Sequence, residues 1–326
     1  MALQEKYKRL MGVIKPVDTL GILINADPDA MASALALKRL FWRKARGVKI
    51  FHINTINRPD NLAFIKLLKI NLEHIQNVNG QKITKWAIVD SQPHHNKKFM
   101  DYSFDIIIDH HPKGDSQKAN FIDIRDEYGA TSSMLTEYLQ AARIPPSERT
   151  ATALCYGIKT DTNNFIRQFI FEDINAFRYV VQFANMNIIK KIESSELTRT
   201  FLKSLRFALD NLKVKGDMAF IHMDTVKSPD NLVIIADFFM KLDAVTWSVV
   251  SGLYKKSLII IFRNSGLGKD AGRLAQDLFG KYGGSAGGHK EAARVELPLA
   301  NIMAKTKAKN FYLNFVRRHL DSINWT

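Results

Sequence analysis

The chain has 326 residues, the length of about two domains, and 46% of them are hydrophobic, so each half can bury an ordinary core. Its single cysteine, Cys155, excludes an internal disulfide framework and fits a reducing cytoplasm. No apolar run approaches the roughly 18 residues of a membrane span, and residues 1–15 lack the apolar segment of a secretory signal. We therefore expect a cytoplasmic protein with no membrane partner.

The net charge of +15 would attract polyanions through long-range electrostatics. RNA, DNA, nucleotides and polyphosphate are all negatively charged, so the excess of basic residues does not indicate which of them the protein binds. Lysine is also scattered through the whole sequence, and a generally basic, solvated surface explains the charge equally well.

The first half of the chain alternates predicted strands with predicted helices. Apolar runs predict strands over residues 19–24, 48–53, 83–89 and 104–109. Three- and four-residue apolar spacing predicts helices over residues 1–14, 29–46, 58–68, 134–141 and 150–159, and a mostly helical stretch over 171–212. This alternation predicts a doubly wound α/β fold around a mainly parallel sheet.

A different pattern begins near Val214. Strands are predicted over residues 218–222, 244–254, 257–263 and 293–297, and helices over 232–242, 270–279 and 299–319. A glycine-rich stretch over residues 283–290 is predicted to form a loop. We therefore expect a first domain over 1–190, a helical connector over 191–213 and a smaller α+β domain over 214–326.

Acidic residues stand at the ends of three predicted strands. They are Asp27 with Asp29, Asp90, and Asp109. His110 and His111 follow at once, and Asp161 lies in a polar turn after the helix predicted over 150–159. Because parallel strands align their carboxyl ends at one edge of a sheet, these side chains can converge although they are far apart in sequence. Carboxylates with imidazoles suit a divalent metal such as Mn²⁺ or Zn²⁺.

The order of these motifs resembles the DHH phosphoesterase superfamily, and within it the two-domain branch of nanoRNases and phosphoadenosine-phosphate phosphatases. The motifs are Asn25-Ala26-Asp27-Pro28-Asp29-Ala30-Met31-Ala32-Ser33, Asp90, Asp109-His110-His111, Asp161, and Gly287-Gly288-His289. The resemblance covers nearly the whole chain. It implies a metal-binding DHH domain at the N-terminal side and a DHH-associated, substrate-binding domain at the C-terminal side.

The resemblance further implies a site for two Mn²⁺ or Mg²⁺ ions, with Asp90 shared between them. The implied metal ligands are Asp27, Asp29, Asp90, His110 and Asp161. The implied catalytic residues are Asp90 and His111. The implied substrate-binding residues are His111, Arg263, Ser265, Gly287, Gly288 and His289. The physical chemistry agrees, because several carboxylates are needed to offset two cations, and glycine backbone N–H groups can approach a phosphate closely.

One position departs from the family pattern, which has a histidine four residues before its first aspartate. That position is Leu23 in this chain. Three explanations remain open: the first metal binds weakly, hydrolysis has decayed, or another group replaces the histidine. The replacement candidates are Asn25, His94 and His95.

The sequence thus predicts a metal-dependent phosphoesterase of exonuclease type, which uses a metal-activated water on short RNA or DNA or on small phosphorylated nucleotides. Two alternatives stay open. One is a nucleotide- or RNA-binding protein with a degenerate metal site, and the other is a polyphosphate or pyrophosphate hydrolase. The oligomeric state is open as well, with a homodimer among the possibilities.

Overall fold

The computed structural model describes residues 2–78, 82–114, 118–195, 199, 201–266, 268–302, 310–321 and 323. The chain forms two compact units, Met1–Glu196 and Leu197–Thr326. Within the described ranges, no helix combines the length and the apolar character that crossing a membrane would require.

The first unit is an α/β sandwich around one parallel sheet. Its strands are β1 (Thr19–Ile24), β2 (Gly47–His52), β3 (Glu73–His74), β4 (Lys85–Val89), β5 (Ile106–Asp109) and β6 (Phe121–Ile124). Its helices are α1 (Leu3–Gly12), α2 (Pro28–Leu40), α3 (Pro59–Leu67), α4 (Thr131–Ala141), α5 (Glu148–Asp161), α6 (Phe171–Val181) and α7 (Met186–Glu193). The strands are all parallel, in the order β3-β2-β1-β4-β5-β6.

This strand order confirms the predicted doubly wound fold and places the site. The chain builds outward from β1 in one direction and from β4 in the other, so the order reverses between these two neighbours. In such sheets a crevice opens outside the carboxyl ends of the strands at the point of reversal. The segments that follow β1, β4 and β5 therefore meet at one edge.

Strand β1 is buried on both faces, as its unbroken apolar sequence indicates. Ile22 and Ile24 pack into the main core of the first unit, on the face that α2 covers. Leu23 points to the opposite face, where it packs in an apolar cluster with Phe51 and Ile88.

Several predicted elements differ from those observed. Helix α2 ends at Leu40 and not near residue 46, and Arg43 adopts a left-handed backbone with φ of 63° in the turn that follows. Strands β3 and β6 were missed because runs of two and four residues carry almost no periodic signal. The stretch over 171–212 is divided into separate helices, and Asn185 caps α7 by accepting hydrogen bonds from Asn187 and Ile188 N–H.

The second unit holds one mixed sheet. Its strands are β7 (Lys213–Lys215), β8 (Met218–Thr225), β9 (Trp247–Tyr254), β10 (Ser257–Asn264), β11 (Ser285–Gly288) and β12 (Ala292–Pro298). Its helices are α8 (Phe201–Asp210), α9 (Asp230–Phe239), α10 (Ala271–Phe279) and α11 (Phe311–Asp321). The order is β11-β12-β10-β9-β8-β7, with β8 and β9 parallel and the other described pairs antiparallel. The predicted α+β class is confirmed.

Two predictions in the second unit are wrong in detail. The last helix does not run from 299 to 319, because Leu299–Asn301 is a single 3₁₀ turn and α11 begins at Phe311; residues 303–309 lie outside the described part. The glycine-rich stretch is not a loop throughout, since residues 285–288 form the edge strand β11, which pairs with β12.

Close backbone approach explains these glycines. A Cβ atom on Gly288 would lie 2.2 Å from the carbonyl oxygen of Ala292, and a Cβ atom on Gly272 would lie 2.3 Å from the carbonyl oxygen of Gly288. Glycine at these positions therefore lets α10 lie directly on the backbone of β11.

We expect Gly272→Ala to destabilise the second unit by about 1–3 kcal/mol, the usual cost of forcing extra volume into a packed contact. The matched control is Gly280→Ala, because a Cβ atom there would meet the amide end of Gln276, a flexible side chain that can move away. Urea denaturation of the two variants measures the difference. Equal stabilities would contradict the close-approach explanation.

Candidate metal centre

Helix α2 places two carboxylates just beyond the end of β1. Asp27 is the N-cap of this helix, and its side chain accepts a hydrogen bond of 2.9 Å from Ala30 N–H. Asp29 lies in the first turn and is completely buried. The short Asp-Pro-Asp sequence therefore starts the helix and directs both carboxylates to the carboxyl edge of the sheet.

The start of helix α4 holds Asp29. Its two carboxylate oxygens accept hydrogen bonds from the backbone N–H groups of Thr131 (2.7 Å) and Ser132 (2.8 Å). These N–H groups belong to the first turn of a helix, where the backbone has no internal acceptor and the dipole favours negative charge. The two bonds fix the orientation of a carboxylate that water does not reach.

Asp90 follows β4 in a left-handed backbone conformation, with φ of 58°. Its backbone N–H bonds to the carbonyl oxygen of Ile108 in the neighbouring strand (2.9 Å), and its Oδ1 atom accepts a hydrogen bond from the Thr131 hydroxyl (2.9 Å). Asp90 is 7% exposed. Thr131 thus supports both Asp29, through its backbone, and Asp90, through its side chain.

His110 presents its Nε2 atom to the acidic residues. The Nδ1 atom lies 3.1 Å from the backbone carbonyl oxygen of Tyr128, which can only accept, so Nδ1 carries the proton and the neutral ring has a lone pair on Nε2. Nε2 is buried and has no hydrogen-bond partner among the described residues, yet it lies 3.1 Å from Oδ2 of Asp161 and 3.5 Å from Oδ1 of Asp90. An imidazole held through Nδ1 by a carbonyl is the usual arrangement of a metal-ligating histidine.

Four of the five predicted metal ligands come together. Each of Asp29, Asp90, His110 and Asp161 offers one ligand atom, and these atoms all lie within 4.8 Å of one another. Asp161 reaches the group from the last residue of α5. Three carboxylate oxygens and one imidazole nitrogen form a donor set that fits a divalent cation such as Mn²⁺ or Mg²⁺. Asp27 is not part of this group, although it caps the helix that carries Asp29.

The concentration of negative charge changes the pKa of each group. Burial, together with the charge of Asp161, raises the pKa of Asp27 to about 7 and that of Asp29 to about 6. Burial and the neighbouring carboxylates also raise the pKa of Asp90 well above its usual range. Burial acts to lower the pKa of His110, but Asp161 and the other carboxylates outweigh it and raise the pKa to about 10. The centre therefore requires positive charge, either as protons or as a cation.

Asp109 takes a different role from the one its place in the Asp-His-His motif indicates. It is completely buried, and its Oδ1 atom lies 2.8 Å from Nδ1 of His111 while Oδ2 accepts a hydrogen bond of 2.6 Å from Gln92. Burial acts to raise the pKa of Asp109, but the hydrogen bonds from His111 and Gln92 outweigh it and lower the pKa. An ionised Asp109 therefore holds the ring of His111, which is a quarter exposed.

The three replacement candidates for the missing histidine differ in position. Leu23 itself is completely buried in an apolar cluster, and Asn25 is exposed. His94 and His95 form a single 3₁₀ turn after Asp90. A ligand atom of His95 lies within 4.8 Å of ligand atoms of Asp109 and His111.

The predicted substrate-binding residues other than His111 lie in the second unit. Arg263 pairs with Asp237, with Nε 2.6 Å from Oδ1, and also donates to the carbonyl oxygen of Phe262. Ser265 follows β10, and Gly287 and Gly288 belong to β11. The backbone of His289 bonds to Ala292 and to Gly272. Their part in substrate binding stays a prediction.

Sequence reasoning missed the residues that hold the ligands. Tyr128, Thr131 and Ser132 hold the candidate ligands, and Gln92 holds Asp109. They act through a carbonyl oxygen, a hydroxyl, backbone N–H groups or an amide side chain, and no residue-type pattern marks such contacts. The run Gly129-Ala130-Thr131-Ser132-Ser133 opens α4, and only its place at a helix start could have indicated a carboxylate-binding turn.

Comparison with known proteins finds a family model, related sequences and related folds. Residues 21–158 match a DHH-family N-terminal domain, and this segment includes Asp29, Asp90 and His110. An uncharacterized protein of Methanocaldococcus jannaschii is 34% identical to this protein over 282 residues, which are 86% of this chain and 58% of that relative. A second uncharacterized protein of the same organism is 25% identical over 308 residues, 89% of this chain and 90% of the relative.

Two solved structures share the fold of this chain. An exopolyphosphatase-related protein from Bacteroides fragilis superposes with a TM-score of 0.76 at 16% identity, covering 98% of this chain and 96% of that one. The exonuclease RecJ, bound to manganese, superposes with a TM-score of 0.54 at 13% identity, covering 99% of this chain and 94% of that one. The chain spans little more than half of the first Methanocaldococcus jannaschii relative, so it corresponds to part of that longer protein.

The raised pKa values predict how the stability of the metal-free protein depends on pH. Asp27, Asp29 and Asp90 bind protons in the folded state at pH values where the unfolded chain has released them, so folding stability falls as the pH rises through their folded pKa values. The raised pKa of His110 acts in the same direction. We expect the chelated protein to melt several degrees lower at about pH 8 than at about pH 5, since about 1 kcal/mol moves Tm by about 2–4 °C for 150–250 residues.

Scanning calorimetry in a chelator measures this shift, and added Mn²⁺ should reverse it at the higher pH. The control is the variant Asp27→Asn with Asp29→Asn, in which the pH dependence should be weaker. A Tm that is constant across this range, or that rises with pH, would contradict the charge distribution described above.

A second prediction concerns the support of Asp90. Thr131→Val keeps the shape of the side chain and removes the hydroxyl that donates to Asp90. We expect the affinity for Mn²⁺ to fall about 10–100-fold, as is typical when a hydrogen bond to a metal ligand is lost. Ser133→Ala is the matched control in the same helix, because the Ser133 hydroxyl is buried without a hydrogen-bond partner among the described residues. Calorimetric titration with Mn²⁺ that found the two variants equal would show that Thr131 does not act on the metal.

Proposed function

We propose that this chain is a metal-dependent phosphoesterase that hydrolyses phosphoester bonds of short oligonucleotides or small phosphorylated nucleotides. The observation that carries the proposal is the group of Asp29, Asp90, His110 and Asp161, whose ligand atoms converge at the carboxyl edge of the sheet. The match of residues 21–158 to the DHH family model supports the class of reaction.

The proposed metal ligands are Asp27, Asp29, Asp90, His110 and Asp161, with Asp90 shared between two cations of Mn²⁺ or Mg²⁺. When bound by these residues, divalent cations would offer positive charge to the phosphoryl oxygens and would lower the pKa of water. The protein contributes rigidity. The N–H groups of α4 hold Asp29, the Thr131 hydroxyl holds Asp90, and the Tyr128 carbonyl holds His110, so the ligands need not reorganise during the reaction.

His111 is the proposed residue next to the scissile phosphate. Its Nδ1 proton is held by the ionised carboxylate of Asp109, which fixes the ring plane. A ring held in this way can donate a hydrogen bond through Nε2 to a phosphoryl oxygen when it is protonated, and can return that proton to a leaving oxygen. Asp109 then acts as a positioning residue and not as a metal ligand.

The second unit is the proposed binding module for the rest of the substrate. Arg263, Ser265, Gly287, Gly288 and His289 are the proposed contacts. Arg263 already pairs with Asp237, so a phosphate would have to compete with that carboxylate for the guanidinium group. The net charge of +15 favours any polyanionic substrate.

A second candidate function is nucleotide or RNA binding without hydrolysis. It is favoured by Leu23, which lies in an apolar cluster where the family pattern has a metal-ligating histidine. In that case the first of the two metal sites is weak and the chain keeps only the ability to hold a phosphorylated ligand. A polyphosphate or pyrophosphate hydrolase would use the same centre as the proposed phosphoesterase and would differ only in its substrate.

The test removes the charge of Asp90 and keeps its shape. We expect Asp90→Asn to lower the Mn²⁺-dependent release of mononucleotides from short RNA by more than about 100-fold, beyond the effect of a lost outer contact. Asparagine tolerates the left-handed backbone of this position, so the fold should persist. Release is followed by chromatography, with pyrophosphate as a parallel substrate.

The control is Asp105→Asn, which alters a carboxylate that pairs with Lys85 next to the amino end of β5 and should leave the rate unchanged. A rate within a few-fold of wild type in Asp90→Asn would overturn the proposal. Tight binding of RNA by the wild type with no hydrolysis at any Mn²⁺ concentration would favour the second candidate.

A further inference from the structure

The end of helix α2 carries an exposed tryptophan with two arginines over its ring. Trp42 is 57% exposed. The Cζ atom of Arg39 lies 4.8 Å from the centroid of the ring, and the Cζ atom of Arg43 lies 4.7 Å from it. Both contacts are cation–π interactions between a guanidinium group and an indole. We call these three side chains the Trp42 platform.

The turn that follows α2 holds the platform in place. Phe41, the neighbour of Trp42, is completely buried, and its carbonyl oxygen accepts hydrogen bonds from Lys44 N–H (2.9 Å) and Ala45 N–H (3.1 Å). Arg43 has a left-handed backbone with φ of 63°, a conformation that is unfavourable for residues other than glycine. The anchored turn therefore maintains a strained backbone at the residue whose side chain lies over the exposed ring.

The chain around the platform is strongly basic. Residues 30–59 contain no aspartate or glutamate and seven basic residues, which are Lys38, Arg39, Arg43, Lys44, Arg46, Lys49 and Arg58. Within the described part of the chain, Arg39 and Arg43 take part in no ion pair. Burial and the nearby charge of Arg149 in α5 lower the pKa of Lys38, so positive charge from a second helix adds to this surface.

The helix dipole explains part of this charge but does not explain the ring. Cations are favoured at a helix C-terminus, and Lys38 and Arg39 lie in the last turn of α2. Trp42, however, is the one exposed large apolar residue between Val17 and Leu62, a range that the structure describes completely. A single ring among charges is too small for an apolar protein interface or for insertion into a membrane, since both need several apolar side chains.

A nucleic-acid strand matches both kinds of group on the platform. Bases stack on aromatic rings and on planar guanidinium groups, and a guanidinium edge binds a phosphate through two N–H groups. Because both guanidinium groups lie over the indole, a base would stack on the outer side of one of them or take its place over the ring. In either case the flat face of the base must be open, as it is in a single strand and not in a duplex.

The platform is separate from the candidate metal centre. Helix α2 begins beside Asp27 and Asp29 and has 13 residues, so its two ends are about 20 Å apart at 1.5 Å per residue. One end of the helix thus presents carboxylates that suit a cation, and the other presents an aromatic ring with positive charge.

We propose that the Trp42 platform binds single-stranded nucleic acid. RNA and DNA share the required chemistry, which is an open base next to a phosphate. The inference goes beyond the proposed function, because it holds whether or not the chain cleaves what it binds. Binding by base stacking and phosphate contacts would not depend on the sequence of the strand.

The first experiment tests the ring. Binding of labelled oligo-U and oligo-dT of about ten nucleotides, within the usual site size of a single-strand-binding module, is measured by fluorescence anisotropy in a chelator. We expect Trp42→Leu to raise Kd about 5–100-fold for both strands, the typical effect of losing one base stack. Trp42→Phe keeps an aromatic ring and should restore most of the affinity. Melting curves check that each variant is folded.

The second experiment tests the guanidinium groups. Arg39→Gln with Arg43→Gln should raise Kd and make log Kd less dependent on log salt concentration, by a slope of about 0.7 for each lost phosphate contact. The matched control is Lys66→Gln with Lys69→Gln, which removes two exposed charges at the end of α3, where Lys69 also has a left-handed backbone with φ of 50°. The control should leave Kd nearly unchanged.

Three outcomes would overturn the proposal. Equal weakening by the two double variants would mean that net charge alone attracts the strand. A duplex that binds as tightly as the single strand would exclude stacking on open bases. Binding to phosphatidylserine vesicles that Trp42→Leu abolishes, with no effect of this variant on single strands, would make the ring a membrane contact.

A failure of the proposed function is distinguishable from a failure of this proposal. The binding measurements use chelated protein and do not depend on hydrolysis. If the wild type cleaves no oligonucleotide but Trp42→Leu weakens single-strand binding, the platform stands and the proposed function fails. If the wild type cleaves oligonucleotides but Trp42→Leu binds single strands as the wild type does, the platform fails and the proposed function stands.

Discussion

The repulsion among buried carboxylates is the constraint on which the first unit depends. Asp29 and Asp90 are almost inaccessible to water and lie beside Asp161, so their charges can neither be solvated nor separated. Each carboxylate has a nearby polar group that stabilises its negative charge. The first turn of α4 donates to Asp29, the Thr131 hydroxyl donates to Asp90, and the imidazole of His110 lies beside Asp161. These contacts reduce the repulsion but leave a deficit of positive charge, and that deficit makes the edge of the sheet suited to a cation.

Tyr128, which orients the candidate ligand His110, is itself supported by a network of ion pairs around Arg125. Arg125 pairs with Asp123 through two nitrogens and with Glu137 through a third, and it also donates to the hydroxyl of Tyr128. The backbone of the same tyrosine carries the carbonyl oxygen that orients His110. The ion pairs of Arg125 therefore hold Tyr128 in place. The carbonyl oxygen of Tyr128 orients the ring of His110, and that ring in turn positions its Nε2 atom. The order of the centre comes from this succession of contacts and not from the ligands alone.

The sequence predicts the framework of the site because its signals are periodic or positional. Apolar runs that end on Asp27, Asp90 and Asp109 identify the strands, and the parallel order of those strands brings the acidic residues to one edge. The roles within the Asp-His-His motif are less accessible, since nothing in the residue types shows that Asp109 holds His111 while His110 faces the carboxylates. Strand β11 is not predicted for a related reason. A glycine-rich sequence usually indicates a flexible loop, but here the glycines allow α10 to approach the strand closely.

The ligands of the centre come from four distant places in the sequence: the start of α2, the segments after β4 and β5, and the end of α5. A cation held by all four would join these segments as a reversible cross-link, in a chain whose only cysteine, Cys155, leaves no means of forming an internal disulfide. Bringing such distant segments together is entropically costly, and an ion that binds the folded chain but not the unfolded one would offset this cost by mass action. Unlike a disulfide, this cross-link would open whenever free metal became scarce. The lifetime of the protein against proteolysis would then depend on the metal concentration of its surroundings.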